Sequence, residues 1–127
     1  MKRTIVDKFV TQHKWSESTL MLAAETKFHC AYCDSYFFES IEHYYAFTVE
    51  HIVPPKHGGT NDLQNLTVAC RTCNILKRTW NPYNYAPPNA SRNELVAAAR
   101  KYVLERREIK RKKVYLEKDD SISLFGE

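Results

Sequence analysis

The sequence predicts a small α+β domain that cysteines staple together and that helices flank on both sides. Three observations support this prediction: two Cys-x-x-Cys pairs (Cys30 with Cys33, Cys70 with Cys73), strand-forming segments between the pairs, and helical periodicity outside them. The 127 residues have room for about one domain. A core of this size often needs a metal or a cross-link, and four cysteines can supply one.

The spacing of the cysteines is that of a four-cysteine zinc site. In a reducing compartment, two close pairs favour zinc thiolates over disulfides. Buried thiols or a disulfide pair remain the alternative. The 36 residues between Cys33 and Cys70 exceed the usual gap of a zinc ribbon, so a further element must be inserted between the two knuckles.

The first part of the chain predicts two helices. Thr4 and Asp7 form a possible capping box, and the apolar residues that follow have helical spacing. Good helix formers in SESTLMLAAETKF predict a second helix that leads into the first knuckle. We assign residues 1–29 to this N-terminal helical segment.

The insert between the knuckles predicts strands. Aromatic and β-branched residues from Tyr36 to Val53 favour strands over helix, and two prolines end the last of them. Gly58 and Gly59 supply a turning loop. A short strand then returns over Leu66–Ala69, and Cys70 starts a helix that runs through Asn74 and Lys77, within a central unit of residues 30–80.

A proline-rich linker, residues 81–90, separates this unit from a long basic helix within residues 91–127. Ser91 and Glu94 form a capping box. One face of the helix is apolar, with Leu95, Ala99, Tyr102, Val103 and Ile109. The tail from Glu117 onward is acidic and polar, and we expect it to be frayed unless something docks it.

Charge is distributed unevenly along the chain. The net charge of +4 is too small to indicate nucleic-acid binding by itself. Residues 91–113, however, carry nine basic residues (Arg92, Arg100, Lys101, Arg106, Arg107, Lys110, Arg111, Lys112, Lys113) and three acidic ones (Glu94, Glu105, Glu108). This basic face is either a solvated surface or a site for the DNA backbone.

The N-terminus, MKRTIVDKFV, carries charges where a secretory signal needs an apolar stretch. No run of about 18 apolar residues occurs, so no membrane partner is expected. We expect a soluble, cytoplasmic protein.

An ordered series of short motifs extends from the first knuckle to the second. In this respect the sequence resembles the HNH endonuclease family, in its form with four cysteines and a His-Asn-Asn variant of the motif. The matching pieces are Cys30 and Cys33, Glu50-His51-Ile52-Val53-Pro54, Gly58-Gly59, Asn65-Leu66, and Cys70-Arg71-Thr72-Cys73-Asn74-Ile75-Leu76-Lys77.

The resemblance implies a ββα-metal core and a nuclease that hydrolyses DNA phosphodiester bonds with Mg²⁺ or Mn²⁺. His51 would be the general base, since an imidazole titrates near neutral pH. Glu50 and Asn74 would hold the catalytic cation through oxygen ligands. Asn65 would tie the connecting loop and so orient the base.

Four basic residues are candidates for contacting phosphate: Lys77, Arg78, Arg100 and Arg107. Specificity would require a homodimer, a partner subunit or a guide, as in a restriction, phage or defence system.

Two alternatives remain open. The family usually has Asp at the position of Glu50, so the chain could instead be a catalytically inactive, zinc-stapled nucleic-acid-binding module. The long basic helix could also dock an acidic protein partner.

Overall fold

The structure is a computed structural model that describes residues 2–126. Its α-helices are α1 (Arg3–Gln12), α2 (Glu17–Glu25), α3 (Ile41–Tyr45), α4 (Arg71–Lys77) and α5 (Arg92–Phe125), and its strands are β1 (Phe47–His51) and β2 (Leu66–Cys70). The predicted α+β class, with N-terminal helices and a long C-terminal helix, is therefore confirmed. Among residues 2–126, no helix is both long and apolar enough to cross a membrane.

The two strands form an antiparallel hairpin that fixes where the chemistry lies. Phe47 pairs with Cys70 at one end, and His51 pairs with Leu66 at the other. The hairpin therefore presents a cysteine of the second knuckle at one end and the candidate base at the other. Helix α4 follows β2 directly, because Cys70 is its N-cap.

The N-terminal helices form as predicted, but the first one starts differently. Lys2 is the N-cap of α1 and makes no side-chain cap, so the predicted capping box of Thr4 and Asp7 is wrong. Thr4 already lies in the first turn of the helix. Helix α2 has a side-chain cap, since Ser16 accepts a hydrogen bond from the Thr19 amide.

The strand prediction for the segment that precedes β1 is partly wrong. Residues Ile41–Tyr45 form helix α3, although tyrosine and isoleucine favour strands. The Ser40 hydroxyl accepts a hydrogen bond from the His43 amide, and the Ala46 amide closes the last turn. A local cap thus outweighs strand propensity, and of the strands predicted from Tyr36 to Val53 the structure keeps β1, together with an isolated bridge between Tyr36 and His29.

The core lies between α2, the hairpin and the first turns of α5. Its members include Leu22, Tyr32, Phe37, Val68 and Val103. A second, smaller cluster joins Ile52 and Val53 to Leu95. The long helix is therefore fixed on the hairpin by its N-terminal turns.

Helix α5 begins at the predicted capping box, because the Ser91 and Glu94 side chains each accept from the other's backbone amide. Its buried residues are Leu95, Ala98, Ala99 and Val103. Ile109 was predicted on the buried face but is 54% exposed. The prediction of a frayed tail is also wrong, since the helix continues to Phe125.

Candidate active site and metal centre

The four cysteines come together as one cluster. Their sulfur atoms all lie within 4.8 Å of one another, and Cys33 Sγ is 3.8 Å from Cys70 Sγ. Tetrahedral zinc, with Zn–S bonds of about 2.3 Å, requires sulfur atoms about 3.8 Å apart. None of the four cysteines is in a disulfide, so the cluster is compatible with zinc.

The sulfur atoms of this cluster form hydrogen bonds with backbone amides and with one another. Cys30 Sγ accepts from the amides of Tyr32 and Cys70, at 3.4 and 3.3 Å. A hydrogen bond with the Cys30 thiol lowers the pKa of Cys70 to about 6 and also lowers the pKa of Cys33, whereas hydrogen bonds within the cluster raise the pKa values of Cys30 and Cys73. Thiolates are the form of cysteine that binds metal.

Two arginines of α5 attach the helix to the knuckles. Arg107 Nη2 donates to Cys73 Sγ at 3.1 Å, and Arg100 Nη2 donates to Asp34 Oδ2 at 2.8 Å beside the first knuckle. Four thiolates around Zn²⁺ carry a net charge of about −2, which the Arg107 guanidinium would partly neutralise. Both residues were predicted to contact nucleic acid, and the structure gives each a partner within the protein.

Glu50 lies in a buried polar network rather than on an open surface. Its Oε1 accepts from Lys77 Nζ at 2.7 Å, and its Oε2 accepts from the Tyr32 hydroxyl. Glu50 and Lys77 are 4% and 1% exposed. Burial raises the pKa of the Glu50 carboxyl, and the Lys77 ammonium only partly offsets this effect.

Asn65 ties together the loop between the strands. Its Oδ1 accepts from the Val53 amide at 2.9 Å, and its Nδ2 donates to the carbonyls of Val53 and Thr60. Gly59 lies against the hydrogen bonds of Asn65, and a Cβ at this position would be 1.7 Å from the Val53 carbonyl oxygen. Only glycine fits there, while Gly58 provides the left-handed turn with φ of 88°.

His51 is the last residue of β1, and its ring is fixed by that same loop. His51 Nε2 lies 2.8 Å from Asn61 Oδ1. An amide oxygen only accepts hydrogen bonds, so in the neutral imidazole Nε2 carries the proton and Nδ1 has the lone pair. Within residues 2–126 no group bonds to Nδ1, which leaves it available to accept a proton.

His51 borders a small cavity of 150 Å³ that Asn65, the remaining residue predicted to belong to the catalytic site, does not line. Glu50, Asn74, Arg78 and Thr79 line it as well. Asn74 makes one long contact, from Nδ2 to Thr48 Oγ1 at 3.5 Å, and its Oδ1 is unengaged within residues 2–126. The structure thus brings Glu50, His51 and Asn74 together, with Lys77 and Arg78 beside them.

The donor set of this cavity fits a hard divalent cation. Glu50 and Asn74 offer oxygen ligands, and the open cavity leaves room for the waters that Mg²⁺ retains. The Lys77 ammonium already neutralises the Glu50 carboxylate. A cation bound there would therefore compete with Lys77.

Two residues of the site were not predicted from the sequence. Asn61 orients His51, and Tyr32 hydrogen-bonds Glu50 from inside the first Cys-x-x-Cys pair. Tyr32 lies between Cys30 and Cys33, and this position could have indicated that its side chain is buried. The contact between Asn61 and His51 could not be predicted, because it depends on how the Gly58-Gly59 loop folds.

Comparisons with known proteins agree with the geometry of the central segment. Residues 30–79 match the family model described as HNH endonuclease. A comparison with curated proteins found no match, and one with solved structures found none either. The matched segment contains both knuckles, the hairpin and α4, with every residue of the His51 cavity. Residues 30–79, about two fifths of the chain, are thus similar to the HNH endonuclease family.

Proposed function

We propose that this protein is a metal-dependent endonuclease that hydrolyses DNA phosphodiester bonds with His51 as the general base. The observation that carries the proposal is the His51 imidazole, which Asn61 holds through Nε2 while Nδ1 stays unengaged beside Asn74 and Arg78. The match of residues 30–79 to the HNH endonuclease model supports a nuclease-type function in general.

The reaction needs a water molecule that attacks phosphorus in line with the leaving oxygen. His51 Nδ1 accepts a proton from this water as its oxygen bonds to phosphorus, while the bond between phosphorus and the 3′ oxygen breaks and that oxygen takes a proton from solvent water. Asn61 Oδ1 then stabilises the imidazolium through the hydrogen bond from Nε2. The family resemblance implies products with 5′-phosphate and 3′-hydroxyl ends.

Glu50 and Asn74 would hold Mg²⁺ or Mn²⁺, while the four cysteines hold a structural zinc. The divalent cation supplies stabilisation of the negative charge that develops on the phosphate and on the leaving oxygen. Asn65 has no direct role in this scheme and holds the loop that carries Asn61. Arg78, whose side chain is exposed at the cavity, is the cation available to hold the substrate phosphate.

Recognition of a particular DNA sequence would need more surface than this domain offers. A homodimer or a partner subunit could supply it, as in a restriction, phage or defence system.

The decisive experiment is cleavage of supercoiled plasmid with Mg²⁺ or Mn²⁺ by the parent protein and by His51→Ala. We expect nicked or linear product from the parent, a loss of about 100- to 10,000-fold in rate for His51→Ala, and no product without divalent cation. His13→Ala is the matched control, because His13 lies at the end of α1. Equal cleavage by His51→Ala and the parent would contradict the assignment of the base.

A second candidate is a zinc-stapled module that binds nucleic acid without cutting it. The observation that favours it is the Lys77 ammonium, which already neutralises the Glu50 carboxylate. DNA binding that survives in His51→Ala, with no cleavage by the parent in any divalent metal, would support this candidate.

A further inference from the structure

A groove of 550 Å³ runs between the C-terminal end of α4 and the middle of α5. It is lined by residues 75–80 and by Tyr102, Arg106 and Lys110. Four of these residues are lysine or arginine, and none is acidic. A groove with this charge attracts anions, and its basic residues lie on both α4 and α5, so it can contact more than one anionic group.

The groove opens directly next to the His51 cavity. Arg78 and Thr79 line both depressions, so an extended ligand can pass from one to the other. Arg78 has a left-handed backbone, with φ of 50° and ψ of −127°, at the residue that ends α4. Strain of this kind in a non-glycine residue persists where the surroundings require it and is frequent at functional sites.

The basic residues of this region divide into two groups by their partners. Lys77, Arg100, Arg107 and Arg111 each bond to Glu50, Asp34, Cys73 and Glu108, respectively. Arg78, Arg106 and Lys110 have exposed side chains with no hydrogen bond or ion pair within residues 2–126. The groove therefore holds cations whose charge the protein leaves uncompensated.

The spacing of these cations follows the helix. Arg106 and Lys110 are one turn apart, about 6 Å along α5, and Lys110 also lines the next depression along the helix. That depression contains Arg107, Arg111 and Lys118 and again no acidic residue. The wall of the groove is rigid, because Trp80 stacks on Tyr102 with ring centroids 4.1 Å apart.

We infer that this groove, through Arg78, Arg106 and Lys110, binds the phosphate backbone of the DNA strand beside the bond to be cut. The inference rests on the proposed function and assigns the substrate path to α5, outside the family segment of residues 30–79. The sequence predicted that Arg100 and Arg107 contact the DNA, but these residues bond to Asp34 and Cys73. We assign the contacts with the DNA backbone to Arg106 and Lys110 instead.

The test measures binding of a fluorescein-labelled DNA duplex by anisotropy at several KCl concentrations, in the His51→Ala background. We compare Arg106→Ala/Lys110→Ala with Lys112→Ala/Lys113→Ala, which removes the same charge from the same helix outside the groove. The groove pair should weaken binding at least 10-fold and lower the salt slope by about 2, one unit for each phosphate contact. The control pair should change the salt slope by less than half a unit. All four side chains are exposed, so the melting temperatures should stay unchanged.

Equal losses for the two pairs would overturn the inference, because they would indicate a diffuse basic helix without a groove. The absence of DNA binding by the parent at low salt, or binding of RNA alone, would also overturn it. Binding is measured without cleavage, so a protein that binds through the groove but does not cut would refute only the proposed function.

Discussion

The two ends of the β-hairpin differ in how far their polar groups are enclosed by the protein, although at the enclosed end Arg107 Nε is buried without a hydrogen-bond partner among residues 2–126. At the Cys70 end, four sulfurs, two backbone amides and the Arg107 guanidinium contact one another in a closed cluster. At the His51 end, Nδ1 and the Asn74 amide oxygen remain unengaged beside an open cavity. The hairpin thus separates the four-cysteine cluster from the cavity in which we propose that the reaction takes place.

The distance between the two ends is short. Five residues of extended strand place them about 14 Å apart. Glu50 lies between them and, through Lys77 and Tyr32, belongs to the closed region although it borders the open one. The difference teaches that enclosed contacts extend along β1 as far as Glu50, one residue before the proposed base His51.

We expect the largest effect on stability from variants that disrupt the four-cysteine cluster at the Cys70 end of the hairpin. Cys73→Ser, or removal of zinc by a chelator, should lower the free energy of unfolding by roughly 5 kcal/mol or more, because metal binding and folding are coupled. Zinc stoichiometry and thermal unfolding measure this effect. Thr72→Ala, an exposed neighbour in α4, is the control and should retain its zinc. A stable parent protein that contains no zinc would contradict the prediction.

We expect a smaller loss of stability from variants in the buried network of Glu50, Lys77 and Tyr32. Lys77→Met should cost about 3 kcal/mol of stability, because it leaves the Glu50 carboxylate buried with Tyr32 as its remaining partner. Denaturant unfolding measures the loss.

Two further variants sharpen the result for Lys77. Glu50→Gln/Lys77→Met should lose less stability than Lys77→Met alone, since the double variant buries no unpaired charge. Arg3→Met removes the exposed ion pair with Glu17 and should cost under about 1 kcal/mol. Equal losses for Lys77→Met and Arg3→Met would show that burial of the pair is unimportant.

The smallest effect is expected at the open end, from the residue that positions the base. Asn61→Ala should lower kcat by roughly 10-fold with little change in KM or stability, because the His51 ring loses its orientation. Asn61→Asp should restore much of the rate, since a carboxylate also accepts from Nε2. Gln64→Ala, an exposed change in the same loop, should match the parent. A higher KM with an unchanged kcat would contradict this prediction and would indicate that Asn61 binds the substrate.

Local signals explain which elements could be predicted. The Ser91 and Glu94 capping box, the Cys70 helix start and the Gly58-Gly59 turn depend on residues close in sequence. The errors arose where two local signals compete, as at Ser40, whose cap makes a helix of strand-forming residues. The tail of α5 stays helical to Phe125 because, from Arg92 on, neither proline nor glycine interrupts good helix formers.

The sequence by itself determined the four-cysteine cluster, the hairpin with its following helix, and the presence of Glu50, His51, Asn65 and Asn74 in one segment. Close spacing and alternation along a strand carry that information. Only the tertiary structure decided that Lys77 and Tyr32 neutralise Glu50, that Asn61 fixes His51, and that Arg107 bonds to Cys73. These contacts join different elements, and their geometry depends on packing, which no short sequence pattern encodes.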